Sequence, residues 1–517
     1  MSATSAIEFL LWLLIAASVI AVIALRARIP YMVALVLGGL ALGTLHLPIL
    51  ASIYQAQRPD WLTPDVILIL FLPPLLFEGS LKINLRQLMG SLVPITLLAT
   101  LGVVATTLVV GYSVHWLVGL PLLIALLFGA IISATDPIAV LAIVKELAVP
   151  KRLALLLEGE SLFNDGTAVV VFQILLVAVV TANFSVARGL GQFLQEVLGG
   201  VAIGALLGYL VARAAKRIDE PQVEITLTTI LAYSSYLVAH RLQVSGVLAT
   251  VVAGLVMGNV GKEGMSVRTR LALWSFWEYT SFVINSLLFL LIGLQVDIAD
   301  LLHDWRGVAF AVGAVLLGRA FVVYGLSAVS NLFSRKIDLK WQHVLVWGGL
   351  HGALSLALAL SLDPRLAHGN RIPTLTFGVV AFSMIAQALT IRPLIGALGL
   401  STPREDAVDR IRVQQMAASS ARSELDEMLR THLVSHPVYE KLRQELDHKL
   451  FQLRADMEEI YSRDSGRAEA EAQTAKLQLM AAERSAIEEA ARDGLISPQM
   501  AAKVLDQVAR PSDDSHE

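Results

Sequence analysis

The sequence predicts an all-α polytopic membrane protein of about thirteen transmembrane helices, built as two inverted repeats that each carry a broken helix and followed by a helical cytoplasmic tail. Three observations carry this reading. Of 517 residues, 56% are hydrophobic and only 16% charged, where a soluble chain carries about a quarter charged residues. Apolar windows long enough to cross a bilayer recur along the first 400 residues. Lysine and arginine gather in alternate loops between those windows.

With a window of about 20 residues, the spans fall at about 6–25, 30–47, 64–80, 90–113, 120–144, 158–182, 191–212, 223–240, 244–260, 274–295, 307–331, 342–362 and 373–397. The first has no basic residue before it and is too long for a signal-peptide core. The second and ninth are short and glycine-rich, which suits close helix packing. One set of alternate loops holds Arg26, Arg28, Lys82, Arg86, Lys145, Lys151, Arg152, Arg213, Lys216, Arg217, Lys262, Arg268, Arg270, Arg335, Lys336 and Lys340. The other holds only Arg58, Arg188, Arg241, Arg306, Arg365 and Arg371. The richer set is expected to be cytoplasmic, which puts the N-terminus outside and the C-terminus inside.

Two spans read as broken. The fifth contains Ser133-Ala134-Thr135-Asp136-Pro137, and the proline removes a backbone donor and disfavours helix at Asp136. The twelfth contains Gly348-Gly349-Leu350-His351-Gly352. If spans 1–6 and 8–13 are repeats joined by span 7, each break is in the fifth span of its repeat and the repeats have opposite topology. Inverted-repeat secondary transporters place their sites at such interrupted helices. Ordinary packing kinks are the alternative, since proline and glycine are common in membrane helices.

After Pro403 the composition turns charged. The stretches 418–433, 438–462 and 468–492 read as amphipathic helices, and 511–517 as disordered. The expected domains are therefore 1–400, a transmembrane domain, and 401–517, a helical tail with a regulatory role and no partner legible in its sequence. The tail has no Gly-x-Gly-x-x-Gly, which argues against a nucleotide-binding module. The chain has no cysteine, so disulfides and thiolate metal sites are excluded. The net charge of −3 says nothing about partners, and no nucleic-acid partner is expected.

The chain is organised around Leu157-Glu158-Gly159-Glu160-Ser161-Leu162-Phe163-Asn164-Asp165-Gly166-Thr167, which heads the sixth span. On a helix, Asp165 lies at about +40° from Ser161, Asn164 at about −60° and Glu160 at about −100°. Two carboxylates, a hydroxyl and an amide thus share an arc of roughly 140°. Ionisable groups at membrane depth need a partner, an ion or a proton. For Glu158 a charged helix start outside the lipid is the competing reading.

These motifs resemble the NhaP/NHE branch of the monovalent cation:proton antiporters. Ser133 to Pro137 followed by Glu158 to Asp165 matches its paired signature. Phe71-Leu72-Pro73-Pro74-Leu75-Leu76-Phe77-Glu78 and Phe282-Val283-Ile284-Asn285-Ser286-Leu287-Leu288-Phe289-Leu290-Leu291-Ile292-Gly293-Leu294 match its third and tenth spans. The resemblance covers residues 6 to about 400. It implies an NhaA/NhaP-like fold in which the broken helices cross. It further implies that Asp165 binds either a cation or a proton. Glu160, the Ser161 hydroxyl and the Thr135 carbonyl would help coordinate the cation, with Asn164 orienting the site and Asp136 offsetting a helix dipole at the crossing. The Asn164-Asp165 pair implies exchange of one cation for one proton.

In one respect the sequence departs from the family. The twelfth span usually reads Gly-Gly-Leu-Arg-Gly, and here His351 stands in the arginine's place, while Arg319 in the eleventh span is retained. Because histidine changes charge near neutral pH, compensation of Glu160 is expected to be weaker or pH-dependent; a neutral His351 bonded to a backbone carbonyl is the alternative. Glu78 reads as interfacial, Asn285 and Gln387 as interhelical hydrogen-bonding groups, and Trp274, Phe276, Trp277 and Tyr279 as an interfacial belt. Lys145, Glu146 and Glu158 read as lining an entrance funnel.

The expected function is therefore secondary antiport of Na+ (or Li+ or K+) for H+ by alternating access, probed against K+/H+ exchange and a cation channel of the same fold. No cofactor is expected beyond the transported ions. The expected partners are lipid, monovalent cations and a second copy of the chain, in the cell inner membrane. Neither His-Glu-x-x-His nor Gly-x-Gly-Asp occurs, which argues against an intramembrane protease.

Overall fold

The computed structural model describes residues 3–27, 30–45, 67–147, 149–181, 185–216, 220–261, 265–294, 298–363, 371–401 and 405–462, with the single positions 218, 366, 487, 497, 500 and 504. Every regular element among them is a helix. The chain divides into two compact units, Met1–Ser401 and Thr402–Glu517. The helix expected over 468–492 lies, apart from position 487, outside the described residues, as do 511–517, the start of the third span and Arg28, Arg58, Arg217, Lys262 and Arg365.

In the first unit, α1 (Ala3–Ala27) and α2 (Tyr31–Leu45) are followed by a π-helical turn, Ile67–Phe71, that feeds α3 (Leu72–Lys82). The short α4 (Leu85–Met89) is capped by Asn84, whose side chain accepts from the Arg86 and Gln87 amides. Next come α5 (Leu92–Val118), which stops at Gly119 in the left-handed region (φ 78°), and the half-helices α6 (Leu122–Ser133) and α7 (Ile138–Glu146). The long α8 (Lys151–Thr181) carries the acidic motif. It is followed by α9 (Val186–Ala215), α10 (Pro221–Arg241), α11 (Gly246–Val260) and α12 (Val267–Leu294). The short α13 (Ile298–His303) precedes α14 (Trp305–Phe333), the half-helices α15 (Leu339–Trp347) and α16 (Ala353–Leu360), and α17 (Arg371–Ala397).

Each apolar window read from the sequence holds helix. Seven described helices are long and apolar enough to cross a membrane, counting α6–α7 as one, and α2 and α11 are shorter apolar helices. Boundaries moved where hydropathy cannot see them. The helix of the sixth span starts at Lys151 rather than at 158, because the helix begins directly after Pro150 and runs through Leu153, Leu155, Leu156 and Leu157, which are buried, into the acidic motif. The acidic motif therefore has two helical turns in front of it, and Glu158 is not a helix start. Nor is Trp277 part of a belt: it is 1% exposed, packs on Phe77 with ring centroids 4.9 Å apart, and donates from Nε1 to the Thr228 hydroxyl at 3.1 Å.

Polar staples tie many of the helices of this unit into two groups. One group comprises α5–α8 and α14–α17. Arg371 bonds both Asp304 (2.9 Å) and the Val118 carbonyl (3.3 Å), Arg152 donates to the Lys336 and Arg335 carbonyls (3.0 and 2.7 Å), and Arg392 meets Glu146 (2.5 Å). The other group comprises α3 and α9–α12. Here Asn259 bridges to the Ile83 carbonyl and the Leu85 amide (2.9 Å each), and Tyr233 donates to the Leu70 carbonyl (3.1 Å). Along α8 the groups meet on apolar contact, with Gly166 against Leu248 and Gly79 against Leu162.

The second unit contains α18 (Glu405–Arg430) and α19 (His436–Ser462), an antiparallel hairpin. Ala418, Leu425, Tyr439 and Leu453 are buried, and the register is fixed by Gln415 on the Leu453 carbonyl (3.0 Å), Arg422 on Asp447 (3.0 Å) and Tyr439 on Asp426 (2.8 Å).

Candidate cation site at the crossing of two broken helices

The site forms where the two interrupted spans meet. Helix α6 ends because Ala134 turns extended (ψ 133°) ahead of the pre-proline Asp136. Helix α15 ends at Gly348, and the chain stays unwound through Gly352. The two unwound stretches cross. The Asp136 amide donates to the Leu350 carbonyl at 2.7 Å, and the His351 ring nitrogen Nδ1 lies 3.1 Å from the Ala134 carbonyl, so Nδ1 carries the hydrogen. This is the carbonyl-bonded His351 weighed above. The crossing leaves no room at Gly352: a Cβ there would lie 2.5 Å from Asp136 Oδ2. Gly352→Ala is expected to destabilise the fold by about 1–3 kcal/mol, the scale of overpacking strain, with the protein still inserted; thermal unfolding in detergent checks it.

From α8, the Ser161 hydroxyl donates to the Thr135 carbonyl in a short hydrogen bond. Asn164 donates from Nδ2 to the Thr135 hydroxyl at 2.7 Å, and its Oδ1 faces the Thr135 amide at 3.5 Å. Helix α8 therefore grips the unwound strand by side-chain bonds that replace the missing helical ones. Asp136 accepts from the Ile138 amide at 3.0 Å, which caps the N-terminus of α7 with a negative charge.

Asp165, one turn beyond Ser161, makes no hydrogen bond or ion pair to any described residue and lines a cavity of about 450 Å³. Thr135, Asp136 and Ser161 line the same cavity, and the charges of Asp136 and Asp165 act on each other. Towards the end of the bundle marked by Lys82 and Lys145, the walls carry Glu78, Lys82, Lys145 and Glu158, with Glu78 paired to Lys82 at 2.5 Å. Over the whole cavity the acids Glu78, Asp136, Glu158, Asp165 and Glu278 outnumber Lys82 and Lys145, and a low-dielectric cleft of that sign concentrates cations.

Glu160 does not join this cavity. It is 2% exposed, and both its oxygens are held by Arg319, Nη2 to Oε2 at 2.9 Å and Nη1 to Oε1 in a shorter bond. Arg319 also donates to the Leu345 carbonyl at 3.1 Å, beside Gly349. The placement corrects two expectations. Glu160 stands at the far edge of the polar arc of α8, facing α14 rather than the cavity. Its charge is met by a bidentate arginine, so His351 is not needed to compensate it. Gln387 donates to the Trp347 carbonyl at 3.1 Å, an interhelical bond as read. Asn285 instead lines the cavity and bonds to no described residue. Its spacing of four from Ser281 was the only sequence signal for that.

An all-helical membrane bundle whose paired unwound segments cross beside half-buried acids is the core of a secondary transporter. The family model for the sodium/hydrogen exchanger, transmembrane, matches residues 13–397. The chain belongs to the sodium/hydrogen exchanger family. It is 42% identical over 377 residues to the Na(+)/H(+) antiporter ApNhaP of Aphanothece halophytica, covering 72% of this chain and 70% of that one. It is 34% identical over 512 residues to the Na(+)/H(+) antiporter NhaG of Bacillus atrophaeus, covering 97% of each. The solved structure of the sodium proton antiporter MjNhaP1 from Methanocaldococcus jannaschii shares the fold, with a TM-score of 0.65 at 21% identity, covering 78% of this chain and all of that one.

Proposed function

We propose that the protein exchanges Na+, or Li+ or K+, for H+ across the cell inner membrane, one for one, with cation and proton competing for Asp165. The observation that carries this is an acidic side chain with no partner among the described residues, facing a cavity beside the oxygens of Thr135, Ser161 and Asp136. A hard monovalent cation takes oxygen ligands of this kind. One carboxylate cannot hold a proton and a cation together, since a nearby positive charge favours its ionised form. Glu160 and Arg319 serve as a self-neutralised brace between α8 and α14 rather than as ligands. Asn164 orients Thr135, and Asp136 and His351 hold the crossing.

Alternating access then moves the stapled group α5–α8 and α14–α17 against the rest, along the apolar contacts of Gly166 and Gly79. The bias of lysine and arginine to one set of loops supports an N-terminus outside and a C-terminus in the cytoplasm, with the cavity opening inward. The protein acts as a homodimer in pH homeostasis, and the unit beyond residue 401 is a cytoplasmic regulatory tail.

A proteoliposome pH-gradient assay with each alkali cation tests this. Competition requires the apparent KM for Na+ to rise as pH falls on the cation-binding side, by up to about tenfold per unit where one proton competes, while the maximal rate stays nearly constant. A KM independent of pH, or flux that neither saturates nor couples to protons, would overturn the reading.

A further inference from the structure

We propose that α12 forms the opposite wall of the ion path, where Glu278, Ser281 and Asn285 hold the remaining water shell of an incoming alkali cation, and that Ser281 and Asn285 set its apparent affinity and selectivity. The proposal rests on the exchange reading above.

These three residues are spaced by three and four, so they share one face of the helix. All three line the cavity that Asp165 enters, over a length of about 10 Å at the helical rise. Ser281 is 7% exposed and Asn285 4%. A hydroxyl in an apolar helix ordinarily satisfies itself on a carbonyl one turn back. Thr280, the neighbour of Ser281, does so, donating to the Phe276 carbonyl at 2.8 Å. Among the described residues neither the Ser281 hydroxyl nor Asn285 finds a hydrogen-bond partner. Leaving such a group unmet costs about 1–3 kcal/mol, so both point to a mobile partner that fills the cavity. A hydroxyl and an amide carbonyl offer acceptor oxygens, and the amide adds two donors for water.

The core side supplies a carboxylate, a hydroxyl and a carbonyl from Asp165, Ser161 and Thr135. A cation held there on one side still needs oxygen or water on the other, and α12 is the helix of the opposite group that presents it. Charge is absent from the two inner positions, so they would discriminate by how well a partly hydrated ion of given size fits rather than by attraction. Ser286 provides a control, because its hydroxyl is also buried and without a partner among the described residues but lies off the cavity.

The test uses the full chain and the variants Ser281→Ala, Asn285→Ala, their combination and Ser286→Ala. Two readouts are taken: dye-reported exchange in proteoliposomes with Li+, Na+, K+ and Rb+, and the Na+ concentration at half-maximal thermal stabilisation in detergent. Each single variant is expected to raise the KM for Na+ about threefold to tenfold, the size of one polar contact, with the maximal rate within about twofold by the same reasoning. The ranking of the four ions should change in the combination, and the stabilisation midpoint should shift with KM. Ser286→Ala should leave both at the wild-type value. Unchanged KM and midpoint in the combination would overturn the proposal, as would a loss confined to maximal rate or to cation-free stability. If wild-type protein shows no coupled flux, the exchange reading falls, and the stabilisation midpoint alone decides the role of α12: a shift supports it, and no shift, or no stabilisation by any cation, overturns it.

Discussion

Asp165→Asn is expected to abolish cation-driven proton movement while leaving the protein folded. The substitution keeps the size of the side chain and removes its ability to alternate between a proton and a cation. The rest of the crossing does not depend on Asp165, since Thr135 is held by Ser161 and Asn164 and the backbone is held by Leu350. A fall of more than about a hundredfold, the scale of losing an obligatory proton acceptor, is expected in the proteoliposome assay, with a thermal unfolding midpoint near that of the wild type. Na+ should also cease to stabilise the variant. If exchange persisted, with Na+ stabilisation intact, competition would have to be sited elsewhere, and Asp136 would be the next residue to change.

The largest effect on stability is expected at Arg319. In Arg319→Leu the Glu160 carboxylate, 2% exposed, loses both its bonds and stays in a low-dielectric interior. Breaking a buried pair from one side costs about 3–5 kcal/mol, enough to remove much of a membrane protein's yield. Replacing both partners with apolar residues of similar volume should recover most of that loss, because no charge is left behind. The readout is thermal unfolding in detergent for the two single variants and the double. A double variant as unstable as Arg319→Leu would mean that the Leu345 carbonyl contact, rather than the ion pair, is what Arg319 supplies.

The same two residues show where the sequence is legible and where it is not. Hydropathy windows, proline and glycine located the helices and both interruptions, because each depends on local chemistry. The motif spacing placed Ser161, Asn164 and Asp165 on one arc of α8, but the three hydrogen bonds that Ser161 and Asn164 make with Thr135 were not legible in it. A helical angle is relative, however. It put Glu160 at the edge of the arc without saying that α14 would bring Arg319 to that edge, across 159 positions of sequence. Trp277 and Asn285 were misread for the same reason. An aromatic near a span end reads as a belt, and an amide in a span reads as helix glue, until the neighbouring helix is known. Their faces are set by α3, α10 and the cavity, none of which is encoded within α12 itself.

The Glu160–Arg319 brace has a consequence for energetics across the membrane. Two opposite charges bonded in one rigid body travel together, so they contribute no net gating charge when that body shifts. Each unbalanced unit charge crossing the field would be worth about 2.3 kcal/mol per 100 mV. Under the proposed exchange Asp165 carries a single positive ion on either stroke, so outward and return steps displace equal charge. Membrane voltage should then neither drive nor stall the cycle, and the chemical gradients of the two ions alone would set its direction.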